Sequence, residues 1–310
     1  MVSKTEVQEF WGDLYQQLYA DNDDALTPDI LERQIDELED LFRKREQPCV
    51  LEMPLAELSG KKVLEVGPGG GGHSCIFKRY GAEVTAVDIT EARARSTALK
   101  FGLLRGGPAQ ALQGDAENLP FADDHFDIVY SNGVLHHSPN TERCMEEIYR
   151  VLKPGGTSVI MLYSRISSVY FFNVLPRAIL TGEIFRWPEA QWIGRLTEGK
   201  PEFGETKNPI TRVYTRKAML ALFSEFNVIA LRKWSFQFDN FCVPRLTQMR
   251  KWALTRLGFP AHPGGIVVYG APYIPETAIE RLIGRHLGWC WVIKAKKPTT
   301  VNTAPLVSND

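Results

Sequence analysis

The sequence predicts an α/β protein on a doubly wound sheet, and two observations carry that expectation. Val63 to Gly72 reads VLEVGPGGGG, apolar residues flanking Glu65 and then an abrupt run of glycine. This is the pattern of a short buried strand entering a tight turn. From Lys62 onward, apolar strand-like runs alternate with helix-like stretches, as they do when crossover helices join parallel strands.

Two helices are expected first. Phe10, Trp11, Leu14, Tyr15, Leu18 and Tyr19 recur at spacings of three and four, giving one aromatic-rich stripe. Thr27 and Pro28 read as an N-cap and first helical residue of a second helix carrying Ile30, Leu31, Ile35, Leu38, Leu41 and Phe42. Together, residues 1–55 are expected to form a helical lid, with core packing as the plainer role for any single aromatic. The glycine turn then accepts backbone angles closed to other residues and lets a ligand lie against the main chain, so it reads as a nucleotide cradle. Val84 to Val87 is the second strand. It ends at Asp88, where an acid about twenty residues past the glycines accepts hydrogen bonds from ribose hydroxyls. Ala109 to Gln113 is the third strand, leading into GDAENLPF. Phe126 to Asn140, FDIVYSNGVLHHSPN, is a fourth buried strand and the loop at its carboxyl edge. A helix bearing Met145, Ile148, Tyr149 and Leu152 stops at VLKPGG, and Ser158 to Leu162 is the fifth strand.

Gly67, Gly69 and Gly72 also satisfy the dinucleotide pattern G-x-G-x-x-G. The run Glu65-x-Gly67-x-Gly69-x-Gly71, with Asp88, Asp115 and the loop after the fourth strand in order, instead resembles the class I S-adenosylmethionine (SAM) dependent methyltransferases of the type 11 kind, closely over Lys61 to Tyr163. The resemblance implies a Rossmann-like sheet of seven strands, the last antiparallel, with SAM as cofactor. It places Glu65, Gly67, Gly69, Asp88, Ile89, Asp115, Ala116, Asn132 and Gly133 against the cofactor: Asp115 accepts from the adenine amino group and the Ala116 amide meets a ring nitrogen. Tyr15 or Tyr19 would offer a hydroxyl to the amino-acid end. Asn132, His136, Tyr163 and Tyr170 are the catalytic candidates; His136 or His137 is a possible base, and loop packing is the competing role for both. The Y-x-x-x-K pair Tyr149 and Lys153, used by short-chain dehydrogenases, falls at a helix end and reads as structure.

Two insertions, 164–212 and 239–285, interrupt the outline and are expected to form a cap that selects the acceptor. Residues 56–163 are the SAM-binding core, 213–298 complete it, and 299–310 are expected to be a disordered tail. Within the second insertion, Pro244 to Phe259 is a basic amphipathic helix, read as a solvated face because the chain has no matching basic patch.

The 310 residues carry a formal net charge of -1, which provides no field to gather a phosphate backbone. The catalytic loop is SNGVLHHS and not the N-P-P-Y type used on DNA bases. Nucleic acid is therefore not expected as substrate, and a small molecule is. Five scattered cysteines without a C-x-x-C pair fit a reducing cytoplasm and no metal site. No apolar run approaches the roughly 20 residues that span a bilayer. Methylation of a small, secondary-metabolite-type acceptor is the leading expectation. The alternative is a SAM-consuming enzyme in which the cofactor's own amine closes on its γ-carbon, giving azetidine-2-carboxylate and methylthioadenosine.

Overall fold

The computed structural model describes residues 2–198, 207–269 and 271–299, without the side chains of 15–22. The predicted tail beyond 299 and the side chains of Tyr15 and Tyr19 lie outside the described residues.

Seven strands form one sheet: β1 Lys62–Val66, β2 Glu83–Asp88, β3 Ala109–Gln113, β4 Phe126–Asn132, β5 Leu152–Tyr163, β6 Asn227–Trp234 and β7 Cys290–Lys296. Their order is β3-β2-β1-β4-β5-β7-β6. The first five are parallel and β7 runs antiparallel between β5 and β6. The seven-stranded expectation holds. β5 begins sooner than expected, directly after the preceding helix, and its pairing with β4 shifts between Phe126 and Ile128 to absorb the Pro-Gly-Gly segment.

Strands β1, β2, β4 and β5 are buried on both faces, which is why they read as near-continuous apolar runs. Val63, Ile128 and Val159 enter one core, while their neighbours Leu64, Val129 and Ile160 enter the other. Helices α1 Lys4–Asp23, α2 Pro28–Lys44, α3 Gly72–Arg79, α4 Glu91–Leu103 and α5 Thr141–Val151 accompany this half. Thr27 caps α2 as predicted, its hydroxyl accepting from the Ile30 amide. Leu31, Ile35, Leu38, Leu41 and Phe42 of α2 are fully buried, so the second N-terminal helix is core and only α1 is placed to act as a lid.

The first insertion holds α6 Leu175–Leu180 and α7 Glu189–Thr197; α8 Arg216–Ala221 follows it. The second holds α9 Leu246–Arg256 and α10 Ala278–Leu287. It is tied to the core by the buried guanidinium of Arg45, which meets Glu276 at 2.7 and 2.8 Å and lies 4.3 Å from the Tyr273 ring centroid and 4.9 Å from that of Trp234. Tyr149 and Lys153 are structural, as read from the sequence: the Tyr149 ring packs on Phe226 and Lys153 pairs with Asp127 at 2.8 Å.

Candidate active site

The order of strands reverses between β1 and β4, and open α/β sheets bind ligands in the crevice at the carboxyl ends of such a pair. A cavity opens there. Its floor is Val66 and Gly67 from the end of β1. The turn depends on glycine: Gly67 has φ 74°, and a Cβ there would lie 2.2 Å from the Val134 side chain. Asp88 and Ile89 border one side. The Asp88 Oδ1 accepts from the Thr90 amide at 2.9 Å and hydroxyl at 2.8 Å, and no described hydrogen bond uses Oδ2. Gly114, Asp115 and Ala116 follow β3, and Gly133, Val134 and Leu135 follow β4. Of the residues expected at the cofactor, Gly67, Asp88, Ile89, Asp115, Ala116 and Gly133 line the cavity.

Three others do not. Glu65 is fully buried behind the turn, where its carboxylate receives the Ser74 hydroxyl and approaches His73 Nδ1 at 3.2 Å. It braces the start of α3. Gly69 and Asn132 also fall outside the lining.

Helix α1 borders the cavity through Trp11, which belongs to the expected aromatic stripe, and through two residues that the sequence reading passed over. Lys4, Val7 and Trp11 line it. The Lys4 ammonium pairs with Asp115 and, at 3.0 Å, with Glu117; Glu117 in turn accepts from the Ser138 hydroxyl and the Asn140 amide. Lys4 thus fastens α1 both to Asp115 and, through Glu117, to the loop after β4. At the other end of α1, Asp23 pairs with Lys100 of α4 at 2.6 Å. The Lys4 pair is half exposed, so Lys4→Met is expected to cost about 0.5 kcal/mol of stability. The same change is expected to speed release of a bound nucleotide several-fold, as read by stopped-flow displacement.

The catalytic candidates are rearranged. Tyr170 is turned into the cap's own core with Val174, Ala178 and Trp192, its hydroxyl on Glu189 at 2.7 Å. Tyr163 donates to Glu198 at 2.8 Å and packs on His136, ring centroids 3.9 Å apart. His136 is fully buried with neither ring nitrogen partnered among the described residues, and it does not line the cavity. The aromatic residues nearest the end of β5 pack with one another, which draws these three away from the cavity.

The histidine that lines the cavity is His137. Its Nδ1 lies 3.3 Å from the Ile210 carbonyl, 3.0 Å from the Thr211 hydroxyl and 3.1 Å from the Asn208 Nδ2. Its Nε2 is buried without a partner among the described residues, and its ring lies 4.9 Å from that of Trp11. Burial holds the imidazole neutral, with its pKa pushed down to about 3; Arg93 acts in the same direction. Burial likewise holds His136 well below its usual range. Unfolding frees both to titrate near pH 6.5, so the unfolded chain binds more protons on acidification. The stabilising contribution is complete above pH 6.5 and is lost as pH falls from there towards 3. Between pH 7.5 and 5.5 each histidine is expected to remove roughly 1.4 kcal/mol, measurable as a falling urea midpoint.

Residues 64–160 match the family model described as a methyltransferase domain. The chain carries a class I SAM-dependent methyltransferase domain. Over 102 residues it is 39% identical to phthiotriol/phenolphthiotriol dimycocerosates methyltransferase 1 of Mycobacterium ulcerans, covering 32% of this chain and 36% of that protein. Over 132 residues it is 33% identical to the ubiquinone/menaquinone biosynthesis C-methyltransferase UbiE of Psychromonas ingrahamii, covering 38% and 52%. The chain therefore spans between about a third and a half of these curated relatives. A SAM-dependent methyltransferase from Methanosarcina mazei shares the fold at 20% identity, with TM-score 0.52 over 78% of this chain and 94% of that one. SAM is the cofactor of this domain class. The cavity's acids and bare glycine turn fit it, and among the described residues no cluster of metal-binding side chains accompanies them.

Proposed function

We propose that this protein methylates a small organic acceptor, with His137 as the base. The observation that carries this reading is that His137 lines the cavity while its Nε2 has no hydrogen-bond partner among the described residues. Asp88 Oδ2 would take the ribose hydroxyls, Asp115 and the Ala116 amide the adenine, and Gly67 the chain beyond it. When bound there, SAM supplies an electrophilic methyl group on a cationic sulfur, and that positive charge disappears on transfer.

The chain's own residues then have a limited task, because methyl transfer needs mainly alignment and removal of any proton on the nucleophile. In the tautomer this reading requires, Nδ1 carries the proton and donates it to the Ile210 carbonyl or the Thr211 hydroxyl, Asn208 Nδ2 donates to Thr211 instead, and the Nε2 lone pair is left for the acceptor's proton. The sulfonium charge is lost as the ring gains the acceptor's proton, so the step leaves the net charge of the site unchanged. Val7, Trp11 and the pairs made by Lys4 exclude water from it. The names of two relatives, a phthiotriol/phenolphthiotriol dimycocerosates methyltransferase and a ubiquinone/menaquinone biosynthesis C-methyltransferase, support a small organic acceptor. Screening phenols, enols and alcohols for SAM-dependent methylation by the full chain tests the reading; S-adenosylhomocysteine formation dependent on such an acceptor supports it.

A further inference from the structure

The outer surface of the second insertion differs from the rest of the molecule. Between Asp239 and Leu287 stand six lysines and arginines against three carboxylates, in a chain whose formal net charge is -1. All three carboxylates are turned inward. Glu276 pairs with buried Arg45, Glu280 is fully buried against Arg250 at 2.7 and 2.9 Å, and Asp239 lies 3.7 Å from the same Arg250 guanidinium. Because Arg250 belongs to α9 and Glu280 to α10, this pair also ties the two helices to each other.

What faces outward includes cations and large apolar side chains and no carboxylate. Helix α9 has no buried residue at all. Its Met249 is 60% exposed and its Trp252 62%, with Arg256 over the Trp252 ring at 4.9 Å and Lys251 exposed beside it. Helix α10 adds Ile279, 63% exposed, and Leu282, 60% exposed, with Arg285. The sequence reading of a solvated charged face accounts for the cations but not for the large apolar side chains left among them.

We infer that α9 and α10 dock this protein on the surface of an anionic phospholipid bilayer. Apolar side chains with a tryptophan among cations are what an interfacial helix needs: the former enter the headgroup boundary and the latter meet lipid phosphates. No helix among the described residues is long and apolar enough to cross a membrane, so the contact is at the surface. A second copy of the chain is a poorer occupant, because a symmetric pairing would set cations against cations. The same insertion reaches the cofactor turn: a Cβ on Gly70 would lie 3.0 Å from the Val267 carbonyl. The docking face and the cavity therefore share a rigid connection.

Co-sedimentation of the full chain with phosphatidylcholine vesicles, and with vesicles about one-third phosphatidylglycerol, tests this directly. The chain is expected to partition onto the anionic vesicles at least tenfold better, with the preference weakened by salt. Each exposed cation contributes about fivefold, so the double variant Lys251→Gln, Arg256→Gln is expected to bind on the order of 25-fold more weakly. Trp252→Ser should weaken binding as well. All three side chains are exposed, so melting temperatures should not move, and an unchanged melt confirms that the variants are folded. Equal binding to both vesicle types, no binding to either, insensitivity to the variants, or a dimer in light scattering that the variants dissolve would each overturn the inference.

Discussion

Replacing His137 with glutamine is expected to lower the turnover of methyl transfer by about 10² to 10⁴, the range removed with a general base, while SAM affinity changes only a few-fold. Glutamine keeps polarity near the Ile210 carbonyl and Thr211 but cannot take a proton. The neighbouring His136→Gln variant separates chemistry from packing. His136 is buried against Tyr163 and away from the cavity, so its loss should appear in the melt and much less in turnover. Because the wild-type imidazole has its pKa pushed down to about 3, turnover per bound acceptor should not fall through the usual histidine range as pH drops from 8 to 5. An inflection near pH 6.5, or full activity in His137→Gln, would remove His137 from the reaction.

Asp88→Ala is expected to weaken SAM binding about 100-fold, the loss of two charge-assisted hydrogen bonds to ribose hydroxyls. Alanine also abandons the Thr90 amide and hydroxyl that Asp88 Oδ1 holds at the start of α4. Asp88→Asn is therefore the cleaner variant, since its amide oxygen retains those contacts while the charge is lost and the ribose-facing acceptor becomes a donor. About tenfold weaker binding is expected for it by calorimetry. Unaltered affinity in both variants would mean that the ribose lies elsewhere.

The two predictions rest on residues of different legibility. Asp88 was plain in the sequence because β2 is buried on both faces, so a carboxylate closing an apolar run stands out and its distance from the glycines is set by one crossover. His137 was legible only as half of a pair. The sequence placed both histidines on the right loop, but which ring faces the cavity depends on Asn208, Ile210 and Thr211, some seventy residues later. Tyr170 misled because its position after β5 suggested the site, whereas Trp192 and Ile193 of the same insertion give it a core of its own. Glu65 was correctly singled out and incorrectly placed: an acid next to a glycine turn can face the ligand or brace the turn from behind, and Ser74 and His73 take it for the second purpose. Lys4 had no local signal at all. Its partners, Asp115 and Glu117, lie more than a hundred residues away in sequence, and an ion pair of that kind has no periodicity to betray it.

The lid follows the same logic. A stripe of aromatics predicts that a helix buries one face but not what it buries it against. Phe10 is buried while Trp11, its neighbour, lines the cavity; only the fold decides that α1 lies across the open end of the sheet.

The account's central claim is that the cavity under α1 holds SAM for methyl transfer to a separate acceptor. Incubating the purified chain with methyl-labelled SAM, alone and with a metabolite extract, and resolving the products by mass spectrometry tests it most directly. The account predicts that SAM alone is left intact, and that S-adenosylhomocysteine and a labelled acceptor appear together only when the extract is present. Steady release of methylthioadenosine from SAM alone would contradict it.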